Sequence, residues 1–374
     1  MTRAALLPLL ASCCAAQLIV NPGRMRSRID VFDPKPGETL LHCDVTPIHP
    51  ALNFSFRYQA GYRVSMPAGQ FTGTGHRLIV MIRIVPHGES REPVYLVSMQ
   101  RLPDIPNTSV QLHFGGGYLL GEGSYQVDWV LLDDRDRVFR KSWRVDVHRS
   151  HADRSVKVAM PPDTVWDISL RGARLLPRDS ADAPALRLSI LLNAAPVSPR
   201  RTHIGPGDIG TLLSAVSSLL ERVPVRQARL VVFNLEQQKE LYRNENFLLA
   251  NMPAVARAMN TVQLDTVDYQ VLKNRGGHVD LLAGLVSQEI KSDPPPDVVL
   301  FLGPVSRYED RIPGDLLEKN PERAPRVLNF QILPYVLVQS TLPDVIRNAT
   351  SRLGGKSFMI HTPGEFATAL EKIR

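Results

Sequence analysis

Hydrophobic and polar positions change rhythm once along the chain, near residue 150. From Glu38 to Val147, short apolar runs alternate with turn residues. They cover Thr39–Val45, Asn53–Met66, Arg77–Pro86, Val94–Met99, Ser109–Phe114, Ser124–Leu132 and Val138–Val147. The alternation is clearest where Tyr125, Val127, Trp129 and Leu131 share one face at period two. Asp133–Arg137 reads as a polar turn, and Phe139, Trp143, Val145 and Val147 as the returning strand of a hairpin. Short strands at this spacing predict a β-sandwich over residues 25–150. Gly115–Gly117, Gly121 and Gly123 are expected in its turns or bulges.

Beyond residue 184 the pattern becomes that of alternating strands and helices. Leu186–Leu192 is short, apolar and bounded by breakers, which predicts a buried strand. After a Pro- and Gly-rich loop, Gly207–Arg222 sets Ile209, Leu212, Leu213, Val216, Leu219 and Leu220 on one helical stripe. Further strands are predicted at Ala228–Leu235, Asp297–Leu302, Val327–Ile332 and Lys356–His361, with Lys239–Arg243 as an antiparallel neighbour of the first. Helices are predicted at Pro253–Asn260, Val279–Lys291, Leu342–Leu353 and Gly364–Ile373, and Thr266–Leu272 reads as strand-like or irregular. The fold class expected is thus all-β followed by a doubly wound α/β domain over 185–374. Residues 151–184 are turn-rich and form a linker, in which Val165–Leu170 adds an edge strand or packs between domains.

Composition narrows the function classes. The net charge of +7 is spread over scattered arginines, without the one-sided basic face and interleaved aromatics of a nucleic-acid binder, so no nucleic acid is expected as a partner. Met1–Arg3 is a short basic start, and Ala4–Ala16 an apolar, small-residue run too short to span a bilayer. Residues 1–16 therefore read as a secretory signal and place the mature chain outside the cytoplasm, in the periplasm, at the cell surface or secreted. Two processing routes stay open: cleavage after Ala16, or lipidation at Cys13 within Leu10-Ala11-Ser12-Cys13. Only the second implies a membrane association. Cleavage after Ala16 leaves Cys43 alone, a thiol read as structural and buried.

Two resemblances sharpen this picture. Gly121-Glu122-Gly123-Ser124-Tyr125-Gln126-Val127 is similar to the loop-to-strand corner of immunoglobulin-like domains, where a Tyr ties the corner down. Residues 185–374 resemble a von Willebrand factor A domain of secreted bacterial proteins. The likeness lies in element order: central strand, helix, strand pair, a Gly-Gly-led helix, the Val-Val-Leu-Phe-Leu strand, two more strands and a final helix after His-Thr-Pro-Gly-Glu-Phe. The resemblance implies a metal-ion-dependent adhesion site built from Asp-x-Ser-x-Ser, a later Thr and a later Asp, oxygen ligands suited to Mg²⁺. Here the first motif falls on Asn193, Ala195 and Val197, the Thr on His278 and the Asp on Gly303. None of the five offers a carboxylate or hydroxyl, so the site is expected to bind no metal, and no cofactor is expected elsewhere.

No other chemistry outweighs this. Gly354-Gly355-Lys356-Ser357 lacks the first glycine of a phosphate loop and leads into a strand, and His148 and His151 have no partner ligands in sequence. Gly-x-Ser-x-Gly and His-Glu-x-x-His are missing, and no catalytic residue is assigned. His278 beside a helix start, and Arg307, Tyr308 and Arg311 in the loop after the strongest strand, are the expected contacts to a protein partner. The function expected is a non-catalytic extracytoplasmic interaction or scaffolding module. The rival classes are an envelope hydrolase with an unrecognised site and a lipid-anchored assembly factor.

Overall fold

The computed structural model describes residues 18–20, 29–88, 92–154, 156–168, 185–198, 201–264, 269–306, 308, 310–313, 324–333 and 344–373. The expected signal, residues 1–16, lies outside them. The chain divides into two units, one of residues 1–52, 57–151 and 158–172, the other of 53–56, 152–157 and 173–374.

The first unit is all-β. Strands β1 (Leu18–Val20), β5 (Val94–Arg101), β4 (Arg77–Pro86), β7 (Gly123–Asp133) and β8 (Val138–Val147) form one antiparallel sheet in that order. Strands β2 (Asp44–Leu52), β3 (Tyr58–Pro67), β6 (Gln111–Leu120) and β9 (Val165–Asp167) form a second. Side chains of both sheets enter one core, where Tyr62 of β3 meets Trp129 of β7 with ring centroids 5.3 Å apart. The period-two reading holds: Tyr125, Val127, Trp129 and Leu131 are all fully buried. The hairpin holds too, because the Asp133 carboxylate accepts from the backbone N–H of Arg135 and Arg137 and from the Arg137 guanidinium, closing the turn.

Three local expectations are corrected. The strand expected over Thr39–Val45 begins instead at Asp44 and runs through Pro47 and Pro50 to Leu52. β2 is a sheet edge, where a missing N–H costs no ladder bond. The run expected to start at Asn53 starts instead at Tyr58. Gly115–Gly117 lie inside β6 and not in a turn, because β3 and β6 run too close for side chains there. A Cβ on Gly115 would stand 2.7 Å from the Tyr62 carbonyl oxygen. Cys43 is partly buried and lies just before β2, and burial pushes its thiol up to about 12.

Tyr125 does tie the corner down. Its buried hydroxyl donates to the Gly121 carbonyl at 2.9 Å, and burial, as the main cause, raises its pKa. Removing the hydroxyl strands a buried carbonyl, so Tyr125→Phe is expected to destabilise the first unit by about 1–2 kcal/mol in urea unfolding followed by tryptophan fluorescence.

The second unit carries a mixed sheet in the order β12-β11-β10-β13-β14-β15. Its strands are β10 (Leu186–Asn193), β11 (Val225–Asn234), β12 (Lys239–Asn244), β13 (Val298–Gly303), β14 (Arg326–Ile332) and β15 (Lys356–Ile360). All pairings are parallel except β11 with the edge strand β12. Helices are α1 (Pro206–Arg222), α2 (Met252–Met259), α3 (Tyr269–Lys273), α4 (Gly277–Ile290), α5 (Val345–Arg352) and α6 (Pro363–Glu371). Helix α3 replaces the strand-like or irregular reading over 269–272, and 266–268 lie outside the described residues. Apolar residues of α4 and α5 cover Leu191, Val231, Val299, Phe301 and Val327 of the sheet. Phe366 of α6 packs on Phe330, whose neighbour Val327 lies three residues away and so on the opposite face. Phe54 and Phe56 of this unit also pack on Phe366.

Candidate functional site

Chain order along the sheet reverses between β10 and β13, and open α/β sheets hold ligands where their carboxyl ends part at such a point. Here the ends do not part. Gly303, the last residue of β13, has φ +145°, and a Cβ on it would stand 2.7 Å from the Asn193 carbonyl oxygen and 3.0 Å from the Asn193 Cβ. Only glycine allows that approach. Asn193, 2% exposed, donates its amide N–H to the Pro304 carbonyl at 3.2 Å, across the mouth of the crevice. Ala194, Ala195 and Val197 are buried behind it. Asn234, at the end of β11, donates to the Ala194 carbonyl at 2.6 Å and holds that turn from the other side.

The carboxylates near this crest are committed to backbone donors. Asp208 in the first turn of α1 accepts from Val197 N–H (3.2 Å) and Gly205 N–H (2.9 Å), and Arg201 approaches it at 3.4 Å. Asp344 caps α5 by accepting from Arg347 N–H at 2.8 Å. Its other oxygen accepts from Ser306 N–H at 2.7 Å and from the Gln331 amide at 2.9 Å. An acidic N-cap offsets the unpaired N–H groups and dipole of the helix. The same carboxylate thereby fixes the loop after β13.

His278, 4% exposed, is the second residue of α4. Its Nε2 lies 2.8 Å from an Asp310 carboxylate oxygen, and its ring stacks on Tyr308 with centroids 4.0 Å apart. With Ile312 fully buried, the ring stack and the His278–Asp310 hydrogen bond clasp the loop after β13 onto the start of α4. Asp310 and Arg311 face solvent.

The structure thus brings together Asn193, Ala195, Val197 and Gly303 at the switch point, and gathers His278 with Tyr308. Arg307 lies outside the described residues, and Arg311 is exposed without a role in the clasp. Among the described residues no group of three or more His, Cys, Asp or Glu side chains is arranged to hold a metal ion. Asp208 and Asp344 stand outside the residues singled out from sequence, and the helix expected over Leu342–Leu353 encloses Asp344. The signal for each is an acidic residue at a helix start, Asp208 three positions after Gly205 and Asp344 directly before Val345. Asp310 carries no such signal, because its partner is 32 residues away.

No family model matches the chain, and no curated protein matches it. Among solved structures it is similar to a superoxide reductase (neelaredoxin) from Ignicoccus hospitalis, at 12% identity over 29% of this chain and 82% of that one, with a TM-score of 0.21. A lipoprotein from Bacteroides thetaiotaomicron is similar at 6% identity, over 33% of this chain and 94% of that one, with a TM-score of 0.16. A Bacteroides uniformis β-glucuronidase is similar at 8% identity, over 83% of this chain and 38% of that one, with a TM-score of 0.18. Scores this low carry no argument about fold or activity.

Proposed function

We propose that the chain is a non-catalytic extracytoplasmic interaction or scaffolding protein. In this reading an immunoglobulin-like β-sandwich precedes a von Willebrand factor A-like domain whose cation has given way to packed side chains. The order strand, helix, strand pair, two short helices, Gly-Gly-led helix, strand, strand, helix, strand, helix supports the A-like reading. The placement outside the cytoplasm rests on the character of residues 1–16.

One observation carries the loss of the metal. At the switch point the buried Asn193 amide N–H is taken up by the Pro304 carbonyl, and the neighbouring positions are alkyl and buried. Mg²⁺ keeps near-octahedral oxygen coordination and gives up water only to hard, charged ligands. One neutral amide oxygen, the Oδ1 of Asn193, buried and unpaired among the described residues and flanked by two alkyl side chains, cannot replace that water. What remains is a closed crest with His278 and Tyr308 clasped and Asp310 and Arg311 exposed, a surface fitted to a protein partner. Arginine and tyrosine there are the residue types that dominate contact energies.

Isothermal titration of the full chain with Mg²⁺ and Mn²⁺ tests this. No saturable heat is expected. Micromolar binding that Asn193→Ala abolishes would overturn the reading.

A further inference from the structure

The first unit holds a second place with chemistry of its own. A cleft of about 320 Å³ opens at the ends of β4 and β5, lined by Gly75, His76, Arg77, Arg101 and Leu102. Arg77 and Arg101 are direct cross-strand partners. The adjacent pair, His76 and Leu102, is the hydrogen-bonded one, with Leu102 N–H donating to the His76 carbonyl at 2.9 Å. The two arginines therefore form the narrow kind of antiparallel pair, with Cα atoms about 4.5 Å apart and side chains on one face. Like charges set opposite each other this way are destabilising. Both side chains are exposed, and neither guanidinium has an ion-pair or hydrogen-bond partner among the described residues.

The carboxylate beside His76 is already engaged. Asp134 is engaged by the His76 ring, with both its oxygens 3.2 Å from Nδ1, and by the Arg77 backbone N–H. Burial raises its pKa, but these bonds outweigh burial and hold it below the usual carboxylate range. His76, 6% exposed, is locked in the wall by Asp134 on one ring nitrogen and the Thr72 carbonyl on the other. The two lips of the cleft are pinned to each other by paired backbone bonds between Gly73 and Ile105. The walls are thus built before any ligand arrives, and Gly75, with no atom within 4 Å of where its Cβ would be, leaves the entrance open.

We propose that this cleft is an oxyanion site, in which Arg77 and Arg101 together hold a phosphate, sulfate or carboxylate group of a small acidic ligand. Two planar forks side by side offer paired N–H donors to such a group, and its charge turns their mutual repulsion into attraction.

The test is titration of the full chain in Tris chloride at low ionic strength with inorganic phosphate, sulfate and acetate in separate arms, read by calorimetry and by Tm. At least one anion is expected to bind saturably and to raise Tm. Arg77→Gln and Arg101→Gln are each expected to weaken that binding at least about tenfold, while Arg352→Gln in the other unit leaves it unchanged. Without anion, both glutamine variants are expected to melt at or above the parent Tm, since each removes one of two opposed charges. Arg77→Lys keeps the charge without the fork and is expected to bind between the two. Absence of saturable binding in every arm would overturn the proposal, as would binding that both variants retain. Variants that melt below the parent without anion would show instead that the arginines serve the fold.

Discussion

Glu289→Ala is expected to cost the second unit about 3–5 kcal/mol, because it breaks a buried ion-pair cluster from its centre. Glu289 lies near the end of α4 and is 1% exposed. Ser189 of β10 donates to it at 2.8 Å and Arg243 of β12 at 2.6 Å, and Arg229 of β11 lies 3.6 Å away. Strand register places Ser189 and Arg229 side by side, so one carboxylate clamps a helix to three strands. Burial works against the charge on Arg243, but its bonds to Glu240 and Glu289 outweigh burial and raise its pKa. Without Glu289, Arg229 and Arg243 lose, among the described residues, their one fully buried counter-charge and keep only Glu240 and Glu245, which are partly exposed to water. Glu289→Gln retains the shape and one acceptor and is expected to recover part of the loss. All three tryptophans, Trp129, Trp143 and Trp166, belong to the first unit. The measurement is therefore amide hydrogen exchange on β10, β11 and β12. A loss under about 1 kcal/mol would place this cluster with ordinary surface pairs.

What the sequence showed and what it hid divide along a physical line. Period-two and helical stripes report burial, so Trp129, the face of α1 and the strand Val298–Gly303 were visible from residue order alone. The corner at Tyr125 was reached through its likeness to an immunoglobulin-like corner, and its bond spans only four residues. Glu289 was not: in sequence it is one more polar residue on a helix, and its three partners lie 46 to 100 residues away. The Arg77–Arg101 pair was hidden for the same reason, since only register sets them opposite. Two prolines concealed half of β2, because a sequence window cannot see that the strand is an edge. At the crest, Asn193, Ala195, Val197 and Gly303 were legible as residue types. Their closure was not, since it depends on how near β13 runs to Asn193.

Trp129→Ala is expected to cost the first unit about 3–5 kcal/mol, the usual range for emptying a fully buried aromatic site. Trp129 lies in the core that both antiparallel sheets share, edge-on to Tyr62 and 6.3 Å from Phe139. Close-packed neighbours relax only in part around a lost ring, so the cavity adds to the lost transfer energy. A second variant separates packing from polarity. The indole N–H of Trp129 is buried without a hydrogen-bond partner among the described residues, which itself costs about 1–3 kcal/mol. Trp129→Phe removes that unpaired donor along with part of the ring, so the two effects oppose. Its expected loss is only about 1 kcal/mol or less, read by urea unfolding followed by fluorescence of Trp143 and Trp166. A Phe variant as damaged as the Ala variant would mean that the indole N–H is paired.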